Sequence, residues 1–221
     1  SGHRAGWTMT GTADSSFDRL AVPYDRGMAP LERLWLREMR AAMLPYAAGR
    51  VLEIGVGTGA NLPFYHPQAV AGLAAIDESA EMLAAASRRA GALARQNGNP
   101  GRMRVDMVQM DVEGLAFADG SFDTVVGSLV LCSVLDQGRA LAEIRRVLAR
   151  PGGRLLLMEH MRPRVRPLAW LADAANLPWY AVNGRCHLNR QTQEMVAGAG
   201  FRLERVDSRL GGLFRLIVAR A

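Results

Sequence analysis

The chain has 221 residues, 49% hydrophobic and 22% charged, which is the size of one domain and a composition that excludes intrinsic disorder. Its 27 basic residues are all arginine and exceed the 21 acidic ones by six, and the absence of lysine excludes a Schiff-base lysine, a lysine general base and a phosphate loop ending in Gly-Lys-Ser/Thr. The arginines are scattered, with Arg162, Arg164 and Arg166 the tightest group, so the charge predicts no nucleic-acid partner. Two cysteines, Cys132 and Cys186, are too few for a disulfide framework. With the histidines they show no zinc-type pairing along the sequence, so no metal is expected. No apolar run reaches the ~18 residues of a membrane span, and the first residues lack the apolar stretch of a secretory signal. A reducing cytoplasm is the expected compartment.

Residues 1–16 read as a flexible arm, in which Ser1–Gly2–His3 is either native or an expression remnant. From Pro30, the apolar positions Leu31, Leu34, Trp35, Met39, Ala42 and Met43 follow helical spacing and predict a helix over 30–45. Arg50–Gly55 is a short apolar run ending in glycines, which predicts a buried strand. Val70–Ile76 predicts a second strand and Ser79 the start of a helix, with Glu78 and Glu81 at its positive end. Met103–Met110 and Phe122–Ser128 read as strands three and four. Leu141, Ile144, Val147 and Leu148 mark a helix stopped by Pro151-Gly152-Gly153, after which Arg154–Glu159 is strand five. This alternation predicts a parallel sheet with helices on both faces. Residues 161–189 break the rhythm with three prolines and the aromatics Trp170, Trp179 and Tyr180, and read as an inserted cap of short helices. A helix around Arg190–Gly198 and strands near Phe201–Val206 and Leu213–Ala219 close the chain.

Gly55-Val56-Gly57-Thr58-Gly59 follows the first strand, where glycines let the backbone turn and approach a ligand closely. Asp77 ends the second strand, where a carboxylate accepts hydrogen bonds from a ribose diol. Taken alone this also satisfies the loose dinucleotide fingerprint, with Ala60 in the third position. Glu53 lies two residues before the first glycine, where a pyrophosphate meets unwelcome negative charge and a sulfonium carrying an ammonium group does not. Asp111 follows the third strand and suits an adenine amino group. Acids at three successive strand ends around one glycine turn favour a cationic adenosine ligand.

These motifs resemble those of class I S-adenosylmethionine-dependent methyltransferases of the type 11 group, over roughly residues 17–220. Val51–Gly59 resembles the family's first motif, Ala75–Ser79 its ribose-binding acid and Met110-Asp111-Val112 its adenine-side motif. Ser121–Val126 and Leu148–Gly153 resemble its fourth- and fifth-strand signatures. The resemblance implies a Rossmann-like, mostly parallel seven-stranded sheet with the last strand antiparallel. It also implies one domain over 17–221, with an N-terminal helical lid (17–48) and a small cap insertion (161–189) after strand five. It assigns S-adenosyl-L-methionine as cofactor to Tyr24, Glu53, Gly55, Gly57, Gly59, Asn61, Asp77, Glu78, Met82, Asp111, Val112 and Ser128; Tyr24-Asp25 resembles the Tyr-Asp pair of the family's lid. Within the family, Val130–Val134, Met158-Glu159-His160 and Gly184–Arg190 are most similar to a thiol S-methyltransferase-like branch, with Arg185 as an extra residue and His187 in place of an asparagine.

The implied activity is methyl transfer to a small-molecule acceptor, a thiol or similar soft nucleophile. Methyl transfer needs mainly a held, aligned nucleophile, and a thiol needs help ionising from a pKa of roughly 8.5. His160 at the end of strand five is the candidate base. Cys186, beside Arg185 and His187, has surroundings expected to lower its pKa, and Cys186 and His187 are candidate substrate contacts. Cys132 reads as a packing residue. Trp170, Trp179 and Tyr180 are candidates to wall the acceptor pocket. Two other readings stay open: a phosphatidylethanolamine-type N-methyltransferase, with Arg162, Arg164 and Arg166 meeting anionic lipid in peripheral membrane contact, and a non-catalytic cofactor-binding protein or NAD-dependent oxidoreductase.

Overall fold

Strand β1 (Gly49–Ile54) is buried from Val51 through Ile54, as a strand covered on both faces must be. Strands β4 (Thr124–Ser128) and β5 (Arg154–His160) are buried in the same way. In this computed structural model, which describes residues 27–96, 104–183 and 185–221, they form the middle of a sheet. β2 (Val70–Asp77) and β3 (Val105–Gln109) extend it on one side, and β6 (Arg202–Arg209) and β7 (Phe214–Arg220) on the other. The order is β3-β2-β1-β4-β5-β7-β6. Strands β1 to β5 pair in parallel, and β7 runs antiparallel to both β5 and β6. This is the implied seven-stranded, Rossmann-like sheet with the last strand antiparallel.

The period of two in a strand sends neighbouring side chains to opposite faces. Leu155 and Leu157 of β5 enter a core with Leu141, Ile144 and Val147 of helix α3 (Gln137–Val147). Leu156 and Met158 enter the opposite core with Leu36, Met39 and Met43 of the N-terminal helix. That helix runs from residue 27, passes through a π-helical stretch at Glu32–Leu36 and continues as α1 (Arg37–Met43). Helix α2 (Ala80–Gln96) sets Leu83 and Ala86 against Val56 and Ala75. Asp136 caps α3 by accepting the Arg139 N–H at 3.0 Å.

Several boundaries differ from the sequence reading. Phe122 lies outside β4 and makes only an isolated bridge to Leu148. Helix α5 begins at Thr192 (Thr192–Gly198). The expected cap of short helices is instead one helix, α4 (Arg166–Asn183), of 18 residues. Pro167 stands at its second position, where a missing N–H costs nothing, and the helix continues through Pro178 at the expense of one backbone hydrogen bond. Its outer face exposes Trp170 (69%), Leu171 and Leu177 (76%). Among the described residues, no helix is long and apolar enough to cross a membrane. The sheet order reverses between β1 and β4, which places the ligand crevice of an open parallel sheet at their carboxyl ends.

Candidate active site

A cleft of about 160 Å³ opens at that reversal, lined by the ends of β2 and β4, the loops that follow β1, β3 and β4, and Arg185. On the first side lies the glycine turn. Gly57 has φ 53°, and a Cβ built on it meets no atom within 4 Å, so bare backbone faces the cleft. Gly59, in contrast, does not line the cleft. A Cβ there would stand 2.8 Å from Leu62 Cδ1 and 3.2 Å from the Ala86 backbone, so this glycine serves the packing of the turn on α2.

Asp77 is buried and lines the cleft, with Oδ2 accepting the Gly57 N–H at 2.8 Å and Oδ1 the Ser79 N–H at 3.0 Å. These bonds hold the glycine turn in place beside a carboxylate that faces the cleft. Ile76, Met82 and Val112 supply apolar wall beside Gly55, and Asp111 and Ser128 complete that end. Asp111 is exposed, and its Oδ1 accepts the Glu113 N–H at 2.9 Å. Glu78 lines the cleft too, but Arg185 grips both its oxygens at 2.7 and 2.8 Å across the mouth. Four carboxylates (Asp77, Glu78, Asp111 and Glu113) against the single arginine Arg185 line this cleft among the described residues. That field suits a cationic sulfonium and opposes the pyrophosphate of a dinucleotide. The bare Gly57 backbone, the diol acceptor and the apolar wall fit S-adenosylmethionine.

Glu53 and Asn61 stand behind the cleft rather than in its wall. Glu53, 2% exposed, accepts from Asn61 Nδ2 and from the Tyr65 hydroxyl, both at 2.9 Å. Burial pushes its carboxyl up to about 7, against the pull of those hydrogen bonds and of the Arg40 charge. The Asn61 amide also donates to Ser128 Oγ at 3.0 Å, and its carbonyl accepts from Arg40, which pairs with Glu32 at 2.7 Å. Arg40, Tyr65 and Glu32 were missed in the sequence. The available signal was an arginine at a core-facing position of the N-terminal helix. Tyr24 lies outside the described residues.

The second side is the loop between β4 and α3, where Leu129, Val130, Val134 and Leu135 form a mostly apolar wall with Ser133. Leu129 is left-handed at φ 58°, a strained position for a leucine. Two groups absent from the predicted set hold this loop. Glu159, fully buried, accepts the Val130 and Leu131 N–H groups at 2.8 and 2.9 Å, and burial raises its pKa more than these bonds lower it. Arg190 donates to the Leu131 and Val134 carbonyls at 2.7 and 2.6 Å.

His160, Cys186 and Cys132 come together beside this loop, but His160 and Cys186 do not line the cleft. His160 Nε2 lies 3.0 Å from Cys186 Sγ, and Cys186 Sγ 3.8 Å from Cys132 Sγ. Burial pulls the His160 pKa down, while the hydrogen bond and charge of Cys186 and the charge of Glu159 together hold it above its usual value. The Cys186 thiol is raised, chiefly by the Cys132 contact and then by burial, which outweigh His160. This overturns the expected lowering. Arg185 turns away to Glu78, and the His187 ring packs on Tyr180 with centroids 4.8 Å apart. Trp170, Trp179 and Tyr180 do not line this cleft; among the described residues of the 161–189 segment, only Arg185 reaches it.

Comparison with known proteins agrees with this geometry. The methyltransferase domain family matches residues 52–157. The chain is 39% identical over 139 residues to a phosphatidylethanolamine N-methyltransferase of Cereibacter sphaeroides, covering 62% of this chain and 64% of that protein, so it spans somewhat less than two thirds of this relative. It is 32% identical over 186 residues to the human thiol S-methyltransferase TMT1A (Homo sapiens), covering 83% and 72%. The fold matches a solved S-adenosylmethionine-dependent methyltransferase of Thermotoga maritima, described as a possible histamine N-methyltransferase, with TM-score 0.66 and 22% identity over 93% of this chain and 98% of that one. A cleft built for a cationic adenosine ligand, on this sheet and with these relatives, has one reading: the chain belongs to the class I S-adenosylmethionine-dependent methyltransferases, an enzyme family with that cofactor as methyl donor.

Proposed function

We propose that the chain methylates a small apolar thiol or similar soft nucleophile. The observation that carries this reading is the mostly apolar second side of the cleft, formed by Leu129, Val130, Val134 and Leu135. An apolar wall with one hydroxyl, from Ser133, suits an uncharged alkyl thiol better than a headgroup carrying a phosphate. The donor supplies a methyl group on a sulfonium sulfur, ready for in-line displacement. The protein's part is to hold the acceptor sulfur close and aligned, with Leu129 and Ser128 fixing the loop at the end of β4. The thiol proton leaves to solvent. In this reading Arg185 covers the mouth, and residues 27–48, the described part of the expected 17–48 lid, belong to the lid. The 32% identity to a thiol S-methyltransferase supports the same choice.

A headgroup N-methyltransferase is the second reading, favoured by the 39% identity to such an enzyme and by the exposed Trp170, Leu171 and Leu177 of α4 beside Arg164 and Arg166. An acceptor screen with radiolabelled methyl donor separates the two, using alkyl thiols, sulfide and phosphatidylethanolamine vesicles. Label in the alkyl thiols is the expected result. Turnover of vesicles alone, lost in a Trp170→Ala, Leu171→Ala double variant, overturns the thiol assignment.

A further inference from the structure

We infer that Cys132, His160 and Cys186 form a three-ligand site for a soft divalent cation, zinc foremost, set against the acceptor side of the cleft. Their donor atoms lie within 4.8 Å of one another although they come from three separate parts of the chain: the loop after β4, the end of β5 and the segment after α4. Two thiolates about 2.3 Å from a tetrahedral zinc stand about 3.8 Å apart. The two sulfurs here stand 3.8 Å apart. An imidazole nitrogen and a thiolate on the same ion are about 3.5 Å apart, and His160 Nε2 stands 3.0 Å from Cys186 Sγ. A set of two thiolates and one imidazole selects zinc or another thiophilic ion over magnesium and calcium.

The surroundings are built to hold this shape. Glu159 and Arg190 clamp the loop that carries Cys132 through its N–H groups and carbonyls, and the His187 N–H donates to the Cys132 carbonyl at 3.0 Å. Cys132 and His160 are buried and Cys186 is half-buried. A divalent ion with two thiolates and a neutral imidazole is neutral overall, which a buried site tolerates. Its formation from two thiols releases two protons to solvent. Three protein ligands leave a fourth tetrahedral position. The Ser133 hydroxyl, 3.5 Å from Cys132 Sγ, lines the cleft and so links the site to it. A thiol in that fourth position is held as thiolate. This last role rests on the thiol reading; metal binding does not.

The test is metal analysis of the whole protein purified without chelator, followed by cobalt(II) substitution. About one zinc per chain is expected, and cobalt should give a thiolate-to-metal charge-transfer band. Cys186→Ser should lose most of the zinc and weaken that band while keeping the parent circular dichroism, and Cys132→Ser should do the same if it folds. A protein that gives no such band, or a Cys186→Ser variant with zinc content and band unchanged, overturns the site. A Cys132–Cys186 disulfide in freshly prepared protein that takes up no metal after reduction also overturns it and leaves a redox pair. Bound zinc without thiol methylation leaves the site standing and removes the thiol acceptor. Thiol methylation by metal-free protein at the parent rate keeps the thiol acceptor and overturns the role given to the fourth position.

Discussion

The two sides of the cleft are made in different ways. The donor side is assembled from strand ends and the turns that follow them: Asp77 reaches back to the Gly57 N–H, and Asp111 turns onto Glu113, two residues on. The acceptor side is held by contacts across long stretches of chain. Glu159 reaches 28 residues back to Leu131, Arg190 reaches 59, and Cys186 meets Cys132 across 54. The donor side repeats a local solution that any such sheet offers at its carboxyl edge. The acceptor side depends on β4, β5 and the segment after α4 arriving together, so its shape is set by packing and can change without disturbing the donor.

That contrast breaks first at Glu159. Glu159→Ala leaves the buried Leu131 N–H and the part-buried Val130 N–H without their acceptor, the buried one costing about 1–3 kcal/mol, so we expect a loss of about 2–4 kcal/mol in urea unfolding. Donor affinity in calorimetry should fall much less. Equal losses in both would show that the two sides are one unit.

Glu53 tests the donor side through pH. Its folded pKa is raised to about 7, so the folded protein binds a proton there that the unfolded chain has already released between pH 4.5 and 7. Stability from this group is therefore present below pH 4.5 and lost as pH rises through about 7, by on the order of 2–3 kcal/mol. Glu53→Gln should flatten that slope. Ionised Glu53 also favours the cationic donor, so donor affinity should rise between pH 6 and 8 in the parent and stay flat in the variant. A parent affinity indifferent to pH would confine Glu53 to a structural role.

Asp77→Ala should weaken donor binding by about 1.5–3 kcal/mol, the range for a hydrogen bond to a charged group. Unchanged affinity in calorimetry would remove Asp77 from the diol. The smallest effect is expected at the mouth. The Arg185–Glu78 pair is about 30% exposed on both sides, and such pairs contribute about 0–1 kcal/mol. Arg185→Gln should therefore shift donor affinity by less than about 1 kcal/mol. A larger loss would make Arg185 a contact to ligand and join the acceptor segment to the donor side.

How much of this was legible in the sequence follows the same division. The aliphatic runs at Val51–Ile54 and Leu155–Met158, the glycine turn and Asp77 are local signals, because burial on both faces and a positive φ each restrict residue type at the position itself. Gly59 read as a ligand contact because a glycine required by close packing on α2 looks the same, in one dimension, as one required by a ligand. Residues 161–189 read as a cap of short helices because their prolines, Pro178 among them, are local breakers, whereas the helix over Arg166–Asn183 continues past Pro178.

By itself the amino-acid sequence determined the sheet, the glycine turn after β1 and the acid at the end of β2, since strand period, glycine and a carboxylate at a strand end are signals carried by the positions themselves. Only the tertiary structure decided what stands behind them. It turned Glu53 and Asn61 into a buried network under Arg40, gave Arg185 to Glu78, and brought two cysteines and a histidine with no linear pairing to one point. The reason is physical: a buried polar group takes the partner that packing brings within hydrogen-bond reach, and that partner is set by how strands and helices pack rather than by separation along the chain.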